Sequence, residues 1–132
     1  MKKLLMLMLM ILAVSTANSQ TYYYQSKQFA YKYKINGVWR DWTDWENCNV
    51  RISLNLNSDI ITIYSAEIQT YYVYEYVKTY TDSSGGTQLQ YNVIDQDGDY
   101  GCIRLRMESN KNSQLYVEFS DIIWVYSGLF KY

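Results

Sequence analysis

Residues 28–35 read QFAYKYKI. Phe29, Tyr31, Tyr33 and Ile35 fall on one side of an extended chain, and Ala30, Lys32 and Lys34 fall on the other. That is the period of a strand with one face on a core and one in water, the usual state of an antiparallel sheet. Asn36-Gly37 follows at once, a two-residue turn suited to a hairpin.

The same alternation recurs along the chain. Val50, Ile52, Leu54 and Leu56 alternate with Arg51, Ser53 and Asn55, and Asn57-Ser58-Asp59 turns the chain into a strand at 60–65. Residues 69–80 form a tyrosine-rich strand with Tyr72, Tyr74, Tyr76 and Tyr80 on one face and Tyr71, Val73, Glu75 and Val77 on the other. Further strands carry Leu89, Tyr91 and Val93, then Ile103, Leu105 and Met107, then Leu115, Val117 and Phe119, with a last one at 122–126. Asn110-Lys111-Asn112 and the stretch 82–86 read as turns. Sixteen tyrosines and no proline suit this all-β reading, because every strand can keep its ladder of hydrogen bonds. About eight short sequential strands predict an antiparallel up-and-down meander that closes into a small barrel and so removes exposed edges, with a two-sheet β-sandwich as the alternative. The architecture is similar to small lipocalin-like barrels, although no residue motif of that family is present.

The first residues run MKK, LLMLMLMILAV, STANSQ: a short basic segment, an apolar run and a small polar stretch, the order of a secretory signal peptide. The apolar run is shorter than the roughly 20 residues that cross a bilayer, so no membrane insertion is expected. Cleavage after Ser19 would remove residues 1–19, leaving 20–26 as a short N-terminal segment and 27–132 as a single β domain. The mature chain then holds 10 basic residues against 13 acidic ones, a charge of −3. With no Lys or Arg cluster, that balance offers nothing to nucleic acid. The expected location is secreted or periplasmic.

The chain has no histidine, which removes the commonest general base and metal ligand and every Ser-His-Asp or Cys-His arrangement. No phosphate-binding glycine loop and no CxxC is present, so no cofactor is expected. A carboxylate-pair glycosidase would need only acids, but no pair stands out from the solvated background. Asp95-Gln96-Asp97-Gly98-Asp99 opens like a calcium loop, yet the sixth position is Tyr100 rather than Gly and the twelfth is Arg106 rather than Glu. A hairpin turn at Asp97-Gly98-Asp99 accounts for it better, with Val93 opposite Ile103, Tyr91 opposite Leu105 and Leu89 opposite Met107.

Two cysteines in an oxidising compartment suggest a Cys48–Cys102 disulfide. Parity opposes it: Cys102 falls on the outer face beside Arg104, while Cys48 falls on the inner face of its strand. Two separate thiols are the favoured reading. A bridge requires the segment before Cys48 to fold over the outside of the barrel.

That segment carries Trp39, Trp42 and Trp45 at a spacing of three. WxxWxxWxxC resembles the opening of a thrombospondin type 1 repeat, but the likeness covers about ten residues and the later cysteines of that family are missing. Two roles are left for the row. It could plug one barrel end with buried indoles, which is the favoured expectation. Alternatively, it presents an exposed aromatic face that stacks on sugar rings or grips an apolar ligand. Trp39, Trp42, Trp45, Tyr72, Tyr74 and Tyr76 are thus the candidate ligand-binding residues. The function expected is a non-enzymatic barrel binding a small apolar or glycan ligand or an envelope partner. The alternative is a structural or protein-interaction module using exposed strand edges and aromatic surface.

Overall fold

The computed structural model describes residues 21–83, 85–108 and 113–131. The signal peptide read at 1–19 and the turn read at Asn110-Lys111-Asn112 lie outside the described residues. Among the described residues the elements are all strands: β1 (Thr21–Ile35), β2 (Val38–Trp39), β3 (Glu46–Asn55), β4 (Ile60–Tyr64), β5 (Ile68–Thr81), β6 (Thr87–Ile94), β7 (Tyr100–Met107), β8 (Ser113–Glu118) and β9 (Ile122–Lys131). From β3 onward each strand pairs antiparallel with the next, and β1 pairs with both β3 and β9. Eight strands therefore close into a barrel, and β2 is an extra strand hairpinned onto β1. Closure through β1 and β9 rules out the two-sheet sandwich.

The alternation read from the sequence fills the barrel. Ile52, Ile63, Val93, Ile103, Leu115 and Val117 are completely buried, with Leu54, Ile61 and Leu105 nearly so. Phe119 stacks on Trp124 with ring centres 5.8 Å apart, and the Tyr71 ring lies 6.3 Å from that of Phe119. These aromatic rings close the end of the barrel that carries the 95–99 and 119–121 turns.

Three bulges interrupt the strict period of two, each inserting one residue that reverses which side chains face inward. In the β1–β3 ladder the extra residue lies in β3, because Ser26 to Gln28 spans two residues of β1 against three, Val50 to Asn47, of β3. Ser26 is fully buried there, its hydroxyl donating to Ser127 O (2.8 Å) and lying 2.9 Å from Gln28 O. In β5 shifts fall between Val73 and Glu75 and between Tyr76 and Lys78. Gly128, at φ 63, occupies a further irregularity in the β8–β9 ladder, a left-handed backbone that glycine adopts readily.

Several expectations need correction. The first strand begins at Thr21, so residues 21–26 belong to the barrel wall. The β6–β7 ladder is offset by two residues: Val93 faces Gly101, Tyr91 faces Ile103 and Leu89 faces Leu105. Parity survives the slip, and the turn lengthens to 95–99. Gly101 explains the offset. A Cβ there would lie 2.8 Å from Phe119 Cε1 and 2.9 Å from the Glu118 carbonyl oxygen, so the close approach of the aromatic plug demands glycine opposite Val93. Asp95 organises the turn, one carboxylate oxygen accepting from the N–H groups of Asp97 and Asp99, both at 2.9 Å.

Candidate functional site

The β5–β6 hairpin is longer than its neighbour on the other side. β4 pairs with β5 only from Ile68 to Tyr72, whereas β6 follows β5 to Thr81. The last link to the β3–β4 turn is the Val73 N–H donating to Asp59 O at 2.7 Å. Beyond it the wall opens into a cleft of about 490 Å³. Ile61, Val73 and Leu89 form an apolar floor, Leu56 and Asn55 one rim, and Glu75 and Tyr76 the other. Tyr91 completes the floor, its ring 5.6 Å from that of Tyr76. Burial pushes the Tyr91 hydroxyl above its ordinary value, and the nearby Tyr76, Tyr24 and Tyr22 add to that. Burial acts likewise on Tyr24, with Tyr22 adding to it. The cleft thus joins an apolar floor to a group of phenol hydroxyls. It suits a ligand with a flat or apolar face and hydroxyl groups at its edge.

The β5 bulges decide which tyrosines take part. Tyr76 pairs with Tyr91 and turns toward the cleft, while Tyr72 pairs with Ile94 and stays on the outer wall. Tyr74 is the extra residue of the first bulge; it borders the cleft, but its ring packs edge-on against Tyr100 at 5.7 Å. Glu75 pairs with Asn92, whose amide donates to its carboxylate at 2.6 Å. Of the three candidate tyrosines, the cleft gathers Tyr74 and Tyr76 and leaves out Tyr72. Sequence reasoning missed Leu56, Leu89 and Tyr91 as lining residues, because their alternation marks them only as core.

The tryptophan row does not plug a barrel end. Residues 38–45 form a strap along the edge of β1 that β3 leaves free beyond Glu46. The Arg40 N–H donates to Tyr33 O (2.9 Å), the Thr43 N–H donates to Tyr31 O (2.9 Å), and the Tyr31 N–H donates to Thr43 Oγ1 (3.0 Å). These bonds keep the strap alongside that edge of β1, from which Trp42 projects over the outer face. Ala30, Val125 and Tyr116 form one rung across β1, β9 and β8. Trp42 reaches Tyr116, ring centres 6.4 Å apart, and so lies across that rung. This position explains why Ala30 and Val125 are buried although they face outward. Trp42 and Trp45 remain 41% and 48% exposed, and Trp39 is half-buried. The tryptophan that does close a barrel end is Trp124.

Cys48 and Cys102 are free thiols on opposite faces of the wall, so no disulfide joins them. Cys48 packs against the core, its thiol 3.7 Å from Ser26 O, while Cys102 pairs with Asn92 and Glu118 on the outer face. Among the described residues no group of three or more His, Cys, Asp or Glu side chains is placed to hold a metal ion.

Comparison with models of known protein families, with curated proteins and with solved structures finds no match.

Proposed function

We propose that the chain is an exported, non-enzymatic β-barrel protein that binds a small apolar or glycan ligand, and that the cleft between β4 and β5 is where it binds. The observation that carries this reading is the apolar floor of Ile61, Val73 and Leu89, edged by Tyr76 and Tyr91, beside a barrel interior already filled by side chains. A ligand therefore lodges at the side of the barrel rather than in its centre. Export rests on the basic, apolar and small polar segments at the amino terminus.

Native mass spectrometry of the exported protein tests it, with Leu56→Arg as the variant that closes the rim. The expected result is a small-molecule adduct, or an added adduct with 4-nitrophenyl β-glucoside, present in the parent protein and lost in the variant. An adduct that persists in Leu56→Arg, or a parent protein that takes up neither this probe nor 1-naphthol, contradicts the reading.

A second reading, a protein-interaction module or envelope partner, is favoured by Tyr72, Tyr74 and Tyr100, which stand exposed together on one sector of the outer wall. Mass that rises with concentration in sedimentation equilibrium supports it, and a constant monomer mass removes it.

A further inference from the structure

The strap runs beside two positively charged side chains of β1. Lys32 and Lys34 follow each other on the outer face of β1. The Lys32 Nζ lies 5.4 Å from the centre of the Trp39 ring and 4.8 Å from that of Trp42, and the Lys34 Nζ lies 4.9 Å from Trp39. Among the described residues neither ammonium forms an ion pair, whereas Arg104 and Arg106 of β7 are both paired with carboxylates. An aromatic ring attracts a cation through its quadrupole without cancelling the charge. The two indoles therefore fix where the ammonium groups sit and leave their charge available. Much of the side-chain ordering that anion binding usually requires is already in place.

Exposed indole beside these cations narrows the ligand further. We infer that the strap is a second binding site, separate from the cleft, for an acidic carbohydrate chain whose carboxylates meet Lys32 and Lys34 and whose sugar rings lie on the exposed surface of Trp39 and Trp42. Neutral sugars would leave the ammonium groups unused. Asp41, Asp44 and Glu46 lie on the same strap of a chain that is acidic overall, so the patch suits a short anionic segment that meets the two ammonium groups rather than a long polyanion such as nucleic acid. Spaced carboxylates on a ring with an apolar face fit both halves of the patch.

Tetragalacturonate is the probe, titrated at low ionic strength against tryptophan fluorescence, with maltotetraose as the neutral counterpart. The expected result is binding of the acidic oligosaccharide alone, weakened about tenfold by Lys32→Gln and again by Lys34→Gln, since each loses one charged hydrogen bond. Lys32→Arg keeps both charge and ring contact and retains binding. Lys78→Gln, at a lysine that sits over Tyr80 away from the strap, leaves affinity unchanged. So does Leu56→Arg, which separates failure here from failure at the cleft. The inference is overturned by no binding in the parent protein or by equal affinity for maltotetraose. It is also overturned by indifference to both glutamine variants, or by tighter binding of a thymidine decanucleotide.

Discussion

Replacing Gly101 by alanine puts one methyl group at the point where the β6–β7 ladder meets the aromatic plug. The new Cβ would sit 2.8 Å from Phe119 Cε1, 3.0 Å from Phe119 Cζ and 2.9 Å from the Glu118 carbonyl oxygen. Carbon pairs are comfortable at roughly 3.5–4.0 Å, so the overlap with the ring is about 0.7 Å. Phe119 cannot swing away freely, because it is stacked on Trp124 and flanked by Tyr71. The carbonyl is backbone and cannot rotate at all without disturbing the β7–β8 ladder. Overpacking of this kind costs about 1–3 kcal/mol. For a chain of this size each kilocalorie moves the melting midpoint by roughly 3–6 °C, so Tm should fall by roughly 3–18 °C. Urea unfolding followed by circular dichroism checks the free energy, with an unchanged m-value showing that the fold is retained. Gly101→Ala combined with Phe119→Leu removes the ring contacts but keeps the carbonyl contact, so the pair should lose less stability than the two single changes added together. A single variant that melts within about 1 °C of the parent refutes the argument that this glycine sets the register.

Alkaline pH should destabilise the barrel. Burial raises the hydroxyls of Tyr24, Tyr71, Tyr91, Tyr116 and Tyr126 above the ordinary 10.0. A group raised in the folded state contributes stability that is complete below its unfolded pKa and lost as pH climbs toward the folded value. Tm should hold steady to about pH 9 and fall above about pH 10, and a Tm unchanged at about pH 11.5 would contradict the burial of these rings. Oxidation should leave the parent mass without the two-hydrogen loss of an internal disulfide, and Cys102 should alkylate slowly at neutral pH because burial, aided by Glu118, raises its thiol. Fast labelling of folded Cys102, or an internal bridge, would show a different placement. Trp42→Ala uncovers Ala30 and Val125, and its partly exposed ring should make the loss about 1–3 kcal/mol, less than for a wholly buried tryptophan. Unaltered stability in urea would mean that the strap does not anchor the wall.

Much of the barrel can be read in the sequence because most strands are dry on one face. Ile52 and Leu54, Ile103 and Leu105, and Leu115 and Val117 all point inward as their alternation requires. Departures occur where something other than hydrophobic period decides. Tyr22, Tyr23 and Tyr24 run consecutively, so the start of β1 carries no alternation to read. The offset of β6 against β7 conserves every inward face, and only the space left for Phe119 at Gly101 distinguishes it from the register two residues away. Tyr76 turns into the cleft through a bulge that its side-chain pattern does not announce. The strap follows the free edge of β1 because Thr43 satisfies the backbone of Tyr31, a local bond that aromatic spacing cannot reveal. Trp39 and Trp42 were recognisable as candidates. That Lys32 shares their surface follows from the strap's course alone.

The most direct test of binding beside a filled barrel is a methyl-resolved NMR titration with 4-nitrophenyl β-glucoside. The methyl signals of Leu56, Ile61, Val73 and Leu89 should shift, while those of Leu105, Leu115 and Val117 stay in place. Shifts centred on Leu115 and Val117 would put the ligand in the barrel interior, and an unmoved spectrum would leave the cleft without this class of ligand; either result contradicts the account.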